Sequence, residues 1–284
     1  MKYLIIGKSG QLTKAFQQLL AEKEEPFIAL SHEEADVSNY AQLKNVFEQY
    51  KPDFVLNCSA YNNVDKAEME YEEAFKINSI GPYNLALLSQ EYGAFLVHYS
   101  TDYVFDGTKT EGLYTEEDKP NPLNKYGLSK RVGERLSLEL CTNKSMLLFR
   151  TSWVFGEGTQ NFIHKVLGWV KNEDVLKISA DEVSVPTCST RIALVTYEAI
   201  RQGVSGLYHL VSSGYASRYE WAKAILNVYG INRVVIPVPA DTFELPAKRP
   251  SFSAMSNEKI NHLLNLDIPN WMEELSTFAR SKNG

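Results

Sequence analysis

The chain has 284 residues, 44% of them hydrophobic and 23% charged, the balance of a soluble globular protein that buries a core without disulfide or metal support. Its net charge of −6 argues against the basic face of a non-specific nucleic-acid binder. No apolar run approaches the roughly 20 residues of a membrane span, and only five residues separate Met1 from Gly7, too few for a secretory apolar region.

The first half alternates short apolar runs with amphipathic segments. "KYLIIG" reads as a buried strand and "GQLTKAFQQLLAEK" as a helix with Leu12, Phe16, Leu19 and Leu20 on its apolar side. "PFIAL" is a strand, "NYAQLKNVFEQY" a helix, "PDFVLNCSA" a strand, "EEAFKINSIGPYNLALLSQEYG" one long helix and "AFLVHYST" a fourth strand. "NKYGLSKRVGERLSLELC" supplies a further helix and "SMLLFRTS" a further strand. Continuous apolar strands separated by helices predict a parallel sheet covered on both faces, an α/β doubly wound architecture of Rossmann type. After Ser152 the rhythm loosens: "NFIHKVLGWVKN", "TRIALVTYEAIRQG" and "SRYEWAKAILNVYG" read as helices, "VLKISAD" and "GLYHLVSS" as strands. The stretch "PVPADTFELPAKRPSFSAMS" reads as irregular before a last helix near "NWMEELSTFARS". Residues 1–152 with parts of 172–205 are expected to form the dinucleotide-binding domain. Residues 153–171 and approximately 206–284 are expected to form a smaller interleaved α/β substrate-binding lobe.

Cys58, Cys141 and Cys188 are odd in number, scattered, and form no Cys-x-x-Cys pair. Neither a zinc site nor a disulfide framework is expected, which suits a reducing, cytoplasmic compartment and no metal.

Gly7 and Gly10 in "LIIGKSGQLTKAF" lie between the first strand and first helix. A glycine at the strand end allows the tight turn, a second lets backbone approach a pyrophosphate, and the helix N-terminus offers free N–H groups to it. Ser9, Gly10, Gln11 and Leu12 would line that turn. Thr13 stands where a third glycine would normally permit close helix–strand packing, so its Cβ and hydroxyl should push the helix slightly outward. At the end of the second strand, Ser31 and His32 replace the acid that usually pairs with the ribose 2′-hydroxyl; NADPH is therefore expected, with NADH possible. Asp36, followed by Val37, is expected near the adenine.

The segments "NCSAYNNVDKAE" and "HYSTDYVFDG" follow the third and fourth strands, on the edge where open parallel sheets bind ligands. Ser100, Thr101 and Asp102 should face the cofactor there. Tyr126 and Lys130 share a helix face by their four-residue spacing. An ammonium beside a phenol would lower the tyrosine pKa from about 10 and make Tyr126 a proton donor to a carbonyl oxygen as a hydride arrives. Thr101 would hold the same oxygen.

With these residues, the sequence resembles the extended short-chain dehydrogenase/reductases, and more narrowly the dTDP-4-dehydrorhamnose reductase family. The resemblance is carried by "GKSGQL", "NCSAYNNVDKAE", "STDYVFDG", "PLNKYGLSK", "RTSWVFG" followed by "NF", "SVPT" and "AKRP". It implies reduction of the C4 ketone of a nucleotide-linked 4-keto-6-deoxyhexose for a surface polysaccharide, with Thr101, Tyr126 and Lys130 as the catalytic triad. It also implies that Trp153 packs on the sugar, with Asp102 and Tyr103 beside it. Asn161 and Phe162 would position the nucleotide sugar, and Arg249 would pair with its diphosphate. Ala60 and Tyr61 would flank the nicotinamide half of the dinucleotide, with Lys130 on its ribose. Three departures stand out: Thr13, Asn62 in "AYNNVD" where threonine is usual, and "ADEVSVPT", which lacks the usual Gln and Gly before Pro-Thr. A reductase of a UDP-linked N-acetylated 4-keto sugar is the alternative substrate reading. A regulatory subunit like the methionine adenosyltransferase β subunit keeps the fold without the activity, and the retained triad speaks against it. A monomer or homodimer is expected.

Overall fold

Alternate residues of a strand face opposite sides of a sheet, and the first strand shows what this does here. In β1 (Tyr3–Ile6) Tyr3 and Ile5 enter one buried cluster, and Leu4 and Ile6 another on the opposite face. A strand buried on both faces must be apolar throughout, which is why "YLII" lacks the alternation of a half-exposed strand. The computed structural model describes residues 1–142 and 144–283.

The chain continues through α1 (Gln11–Glu22), β2 (Phe27–Leu30), α2 (Tyr40–Tyr50) and β3 (Phe54–Asn57). It then runs through α3 (Tyr71–Phe75), α4 (Gly81–Tyr92), β4 (Phe95–Thr101), α5 (Lys125–Leu140) and β5 (Met146–Thr151). The second half comprises β6 (Val154–Phe155), α6 (Phe162–Trp169), β7 (Val175–Ser179), β8 (Val183–Ser184), β9 (Thr187–Cys188) and α7 (Ser189–Arg201). After these come β10 (Gly206–His209), β11 (Ala216–Ser217), α8 (Arg218–Val228), β12 (Val234–Val238), α9 (Glu258–Leu264) and α10 (Trp271–Asn283).

Among the described residues, six parallel strands form the central sheet in the order β10-β5-β4-β3-β1-β2. The order reverses between β1 and β3, which opens a crevice at their C-terminal ends. Helices α1 and α7 cover one face and α2, α4 and α5 the other, so the doubly wound α/β reading holds.

The expected domain boundaries shift in two places. Strand β10 pairs with β5 and belongs to the sheet, not to the lobe expected from residue 206 onward. Strand β7, expected in part with the dinucleotide domain, pairs with β12 in the second layer. Register explains the first correction: Leu207 and Tyr208 extend the apolar edge of β5 at Leu148 and Phe149. The proline-rich stretch also begins later than expected, because "VVIPV" forms β12. Pro237 is tolerated in this two-stranded pair, an edge position where a missing N–H costs little. Helix α9 was not foreseen either. A third layer, built on Phe155, Trp221, Trp271 and Leu275, packs α6, α8 and α10 together.

The expected long helix after β3 is interrupted. Residues Lys76–Ile80 form a π-helical turn between α3 and α4, a local widening that frequently marks functional sites. It turns Asn78 inward. The Asn78 amide accepts from Tyr61 N–H at 2.9 Å and donates to the Tyr61 carbonyl at 3.0 Å and to Ser129 Oγ at 3.0 Å. One side chain thus ties the loop after β3 to α5.

Helix α5 needs two glycines. A Cβ on Gly127 would lie 2.2 Å from the Tyr103 carbonyl oxygen, and one on Gly133 would lie 2.1 Å from that of Asn78. Gly127→Ala should therefore push the start of α5 off the β4 loop, costing about 1–3 kcal/mol as an overpacking substitution. A lowered denaturation midpoint with turnover reduced at least tenfold is the expected result; wild-type values for both would show that the contact is not required.

Candidate active site

The turn after β1 is built as the glycine pattern requires. Gly7 adopts φ +104° and its α-carbon faces Cys58 and Ser59, where a Cβ would come within 3.1 Å of backbone. Gly10 caps α1 with no side-chain hydrogen bond, so the first N–H groups of that helix remain available to an anion. Thr13 finds a use for its hydroxyl, which donates to the Gly7 carbonyl at 2.7 Å and ties the turn to the helix.

Beyond this turn lies a cavity of about 550 Å³ lined by Ser9, Gly10, Gln11, Leu12, Ala60, Ser100, Thr101, Tyr126 and Lys130. Six of the residues expected around the dinucleotide do not line it: Gly7, which faces Cys58 and Ser59 instead, and five others. Tyr61 turns its hydroxyl to Glu70 at 2.5 Å. Ser31 and His32 sit beyond the β2 tip, where the Ser31 N–H donates to Glu34 at 2.8 Å and His32 lies 3.8 Å from Asp36. Asp36 also accepts from the N–H and hydroxyl of Ser38, and Val37 is buried beneath Gly81. The expectation of no acid at the β2 tip is corrected by Glu34, folded back by the turn that follows the strand and paired with Lys8 at 3.6 Å.

A second cavity, of about 650 Å³, adjoins the first. Asn62, Thr101, Asp102, Tyr126, Trp153, Val154 and Gln160 line both. Its far walls come from the second half of the chain: Phe162, Lys165, Trp169, Arg218, Phe243 and Arg249. Two tethers close the roof over the join. Gln11 Nε2 donates to the Val154 carbonyl at 2.9 Å, and Asn161 Nδ2 reaches Gln11 Oε1 at 3.3 Å.

At the join stand Thr101 and Tyr126, and Lys130 lines the first cavity beside them. Asn124 caps α5, accepting from Gly127 N–H at 2.8 Å, and so sets Tyr126 and Lys130 on the first turns facing the cavity. The Tyr126 ring packs edge-on against Tyr103, with centroids 5.9 Å apart. Lys130 is buried and its ammonium donates to the Tyr99 carbonyl at 2.5 Å.

The electrostatics differ from the expectation. Burial raises the Tyr126 pKa; hydrogen bonding by Thr101 works the other way, and the Asp102 charge raises it again. Lys130 is not among the groups that lower it, because its ammonium is turned to Tyr99. The phenol is therefore held protonated, the form that a proton donor needs. Burial also brings Lys130 down to about 8, with Glu134 opposing the shift.

Trp153 adopts φ +40°, uncommon for a bulky residue, and stacks on Trp221 with centroids 5.4 Å apart and planes 9° from parallel. The Arg218 guanidinium lies 3.6 Å from the Trp153 ring centroid, a desolvated cation–π contact. Arg249 pairs with Asp65 at 2.7 Å and donates to the Ala247 carbonyl. Asn161 spends its amide on capping α6 and on the Gly156 and Gly158 carbonyls. Phe162 lines the second cavity, and Tyr103 and Asp102 line it beside Thr101.

Sequence reading missed Arg218, Glu182 and Phe243 on this wall. Arg218 opens a helix three residues before Trp221, and only the fold brings it over Trp153. Glu182, in the departing "ADEVSVPT" segment, lies 3.7 Å from Arg218 and 4.0 Å from Arg249.

The family described as the RmlD substrate binding domain matches residues 1–283. The chain belongs to this family. A dTDP-4-dehydrorhamnose reductase of Burkholderia thailandensis is 35% identical, with 95% of each chain covered. The spore coat polysaccharide biosynthesis protein SpsK of Bacillus subtilis is 34% identical over 99% of this RmlD-family chain and 98% of its own. The crystal structure of the Bacillus anthracis dTDP-4-dehydrorhamnose reductase in complex with NADP superposes with a TM-score of 0.93 at 33% identity, covering 99% of each chain.

Proposed function

We propose that this RmlD-family protein is a nicotinamide-dependent reductase of the C4 ketone of a dTDP-linked 4-keto-6-deoxyhexose, in the synthesis of a sugar for surface polysaccharide. The observation that carries this reading is the convergence of Thr101 and Tyr126 on the wall shared by the two cavities, with Lys130 one helical turn on, lining the first. The first cavity fits a dinucleotide: Gly7 lets the β1 turn pack closely on Cys58 and Ser59, the N-terminus of α1 is uncapped, and Lys130 offers an ammonium at the inner end. Ser9, Gly10 and Gln11 would hold its pyrophosphate and Lys130 its nicotinamide ribose. When bound, the dinucleotide supplies a hydride to the ketone carbon. Tyr126 gives its proton to the ketone oxygen, and the Lys130 ammonium, held by the Tyr99 carbonyl, keeps a positive charge on the wall of the cofactor cavity. Trp153 and Phe162 supply apolar faces for the sugar. Arg218 and Arg249 carry the positive charge that suits a diphosphate. At the β2 tip Lys8 suits the 2′-phosphate of NADPH and its partner Glu34 the ribose 2′-hydroxyl of NADH, so NADPH is taken with NADH also accepted.

Oxidation of NADPH and NADH against a panel of dTDP- and UDP-linked 4-keto sugars tests this. Turnover of the dTDP-linked 6-deoxy ketone, with NADPH used at least as well as NADH, is expected. Failure on every sugar would refute the reading, and turnover of UDP-linked sugars alone would move it to the alternative substrate class. Activity should fall on the alkaline side near pH 8, where Lys130 loses its proton. A rate that holds unchanged to pH 10 would remove the ammonium from the chemistry.

A further inference from the structure

Thr101 has one hydroxyl proton and two lone pairs, and the structure accounts for most of them. The proton goes to Asp102 Oδ1 at 3.1 Å, and one lone pair accepts the Tyr103 N–H at 3.2 Å. That leaves one lone pair. Thr101 shares the join of the two cavities with the Tyr126 phenol, to which it is hydrogen-bonded, and Asp102 holds the Thr101 rotor there.

Asp102 is in turn held. Its Oδ2 accepts from Ser184 Oγ at 2.8 Å and from Ser253 Oγ at 2.5 Å. The two serines come from β8 and from the segment beyond Phe252, which pair through the Val183–Phe252 bridge and the Ser253 N–H to Val183 carbonyl bond of 2.9 Å. Both are buried and neither lines either cavity. A carboxylate buried this deeply needs such donors to stay ionised.

We propose that Ser184 and Ser253 are positioning residues for the reaction, fixing the Thr101 hydroxyl, and through it the Tyr126 phenol, by clamping the Asp102 carboxylate. The proposal rests on the ketoreductase reading above. It makes Asp102 a brace between the two serines and the end of β4, with Oδ2 taken by both serines and Oδ1 by Thr101.

Titration supplies a readout that a merely structural role would not move. Burial raises the Asp102 pKa, and the Ser253, Ser184 and Thr101 hydroxyls and the Arg218 charge oppose that rise. Tyr103 and Tyr126 also face it, uncharged. Removing the two serine donors lets Asp102 take up a proton at higher pH, and a protonated Asp102 no longer fixes the Thr101 proton.

The test is Ser184→Ala with Ser253→Ala in the full chain, assayed beside the wild type with the dTDP-linked ketone. The expected result is a kcat lower by tenfold or more, KM for the sugar and affinity for the dinucleotide within about threefold, and an acid limb of kcat displaced to higher pH. If the double variant does not fold, Ser253→Ala alone should show the same displacement at smaller amplitude. Unchanged kcat, an acid limb at the wild-type pH, or an equal loss of dinucleotide affinity would overturn the proposal. An inactive wild type would instead overturn the ketoreductase reading itself.

Discussion

Tyr126→Phe should abolish nearly all turnover while leaving the dinucleotide bound as before. The hydroxyl is the proton source placed on the wall shared by both cavities, and loss of a positioned general acid typically costs 10²–10⁴-fold. The substitution keeps the ring, so the edge contact with Tyr103 survives and the fold should not suffer. Steady-state rates with fluorescence titration of NADPH separate the two effects. Turnover within threefold of the wild type would dismiss Tyr126 as the donor, and a parallel loss of NADPH binding would mean that the phenol serves affinity instead.

Arg150→Met carries the largest expected cost in stability. Arg150, from β5, forms a buried fork with Glu134 of α5, two contacts of 2.9 Å. Burial alone would raise the Glu134 pKa, but the Arg150 charge and hydrogen bonds outweigh it and the carboxyl ends below its ordinary value. Removing Arg150 leaves a buried carboxylate to the weaker support of Ser100 and of Arg131, which reaches it at 2.9 Å from a half-exposed position. Breaking a buried pair by losing one partner costs about 3–5 kcal/mol, and the surviving Arg131 puts the expectation near the lower end. The pH dependence has a definite sign. A depressed folded pKa stabilises the wild type above the unfolded value, about 4.3, and that contribution fades as pH falls through the folded value. The deficit of the variant should therefore shrink in acid. Urea denaturation at pH 7 and pH 4 measures both effects, and an equal deficit at the two values would show that packing, not charge, is lost.

The central sheet was readable from the sequence because its signal is local: "YLII" is apolar throughout and "FVLN" and "FLVHYST" open on unbroken apolar runs, as strands buried on both faces must, turning polar only towards the ligand-facing ends. The triad was readable for a related reason, since Tyr126 and Lys130 share a helix and Thr101 ends a strand. What escaped notice depends on the third dimension. Glu34 reaches the β2 tip only because the turn folds back, and Arg218 lies over Trp153 only because α8 crosses that loop. The lysine's effect on the phenol was inferred from spacing, which cannot reveal that the Tyr99 carbonyl competes for the ammonium. Nor does spacing disclose the π turn, whose inward Asn78 depends on the closeness that Gly133 permits.

The wall common to the two cavities has a kinetic corollary. Because Thr101, Tyr126 and Trp153 border both compartments, neither occupant can complete its enclosure while the other is missing. Catalysis must proceed through a ternary assembly, so double-reciprocal plots should intersect instead of running parallel, and the oxidised dinucleotide should compete with its reduced form for the first cavity.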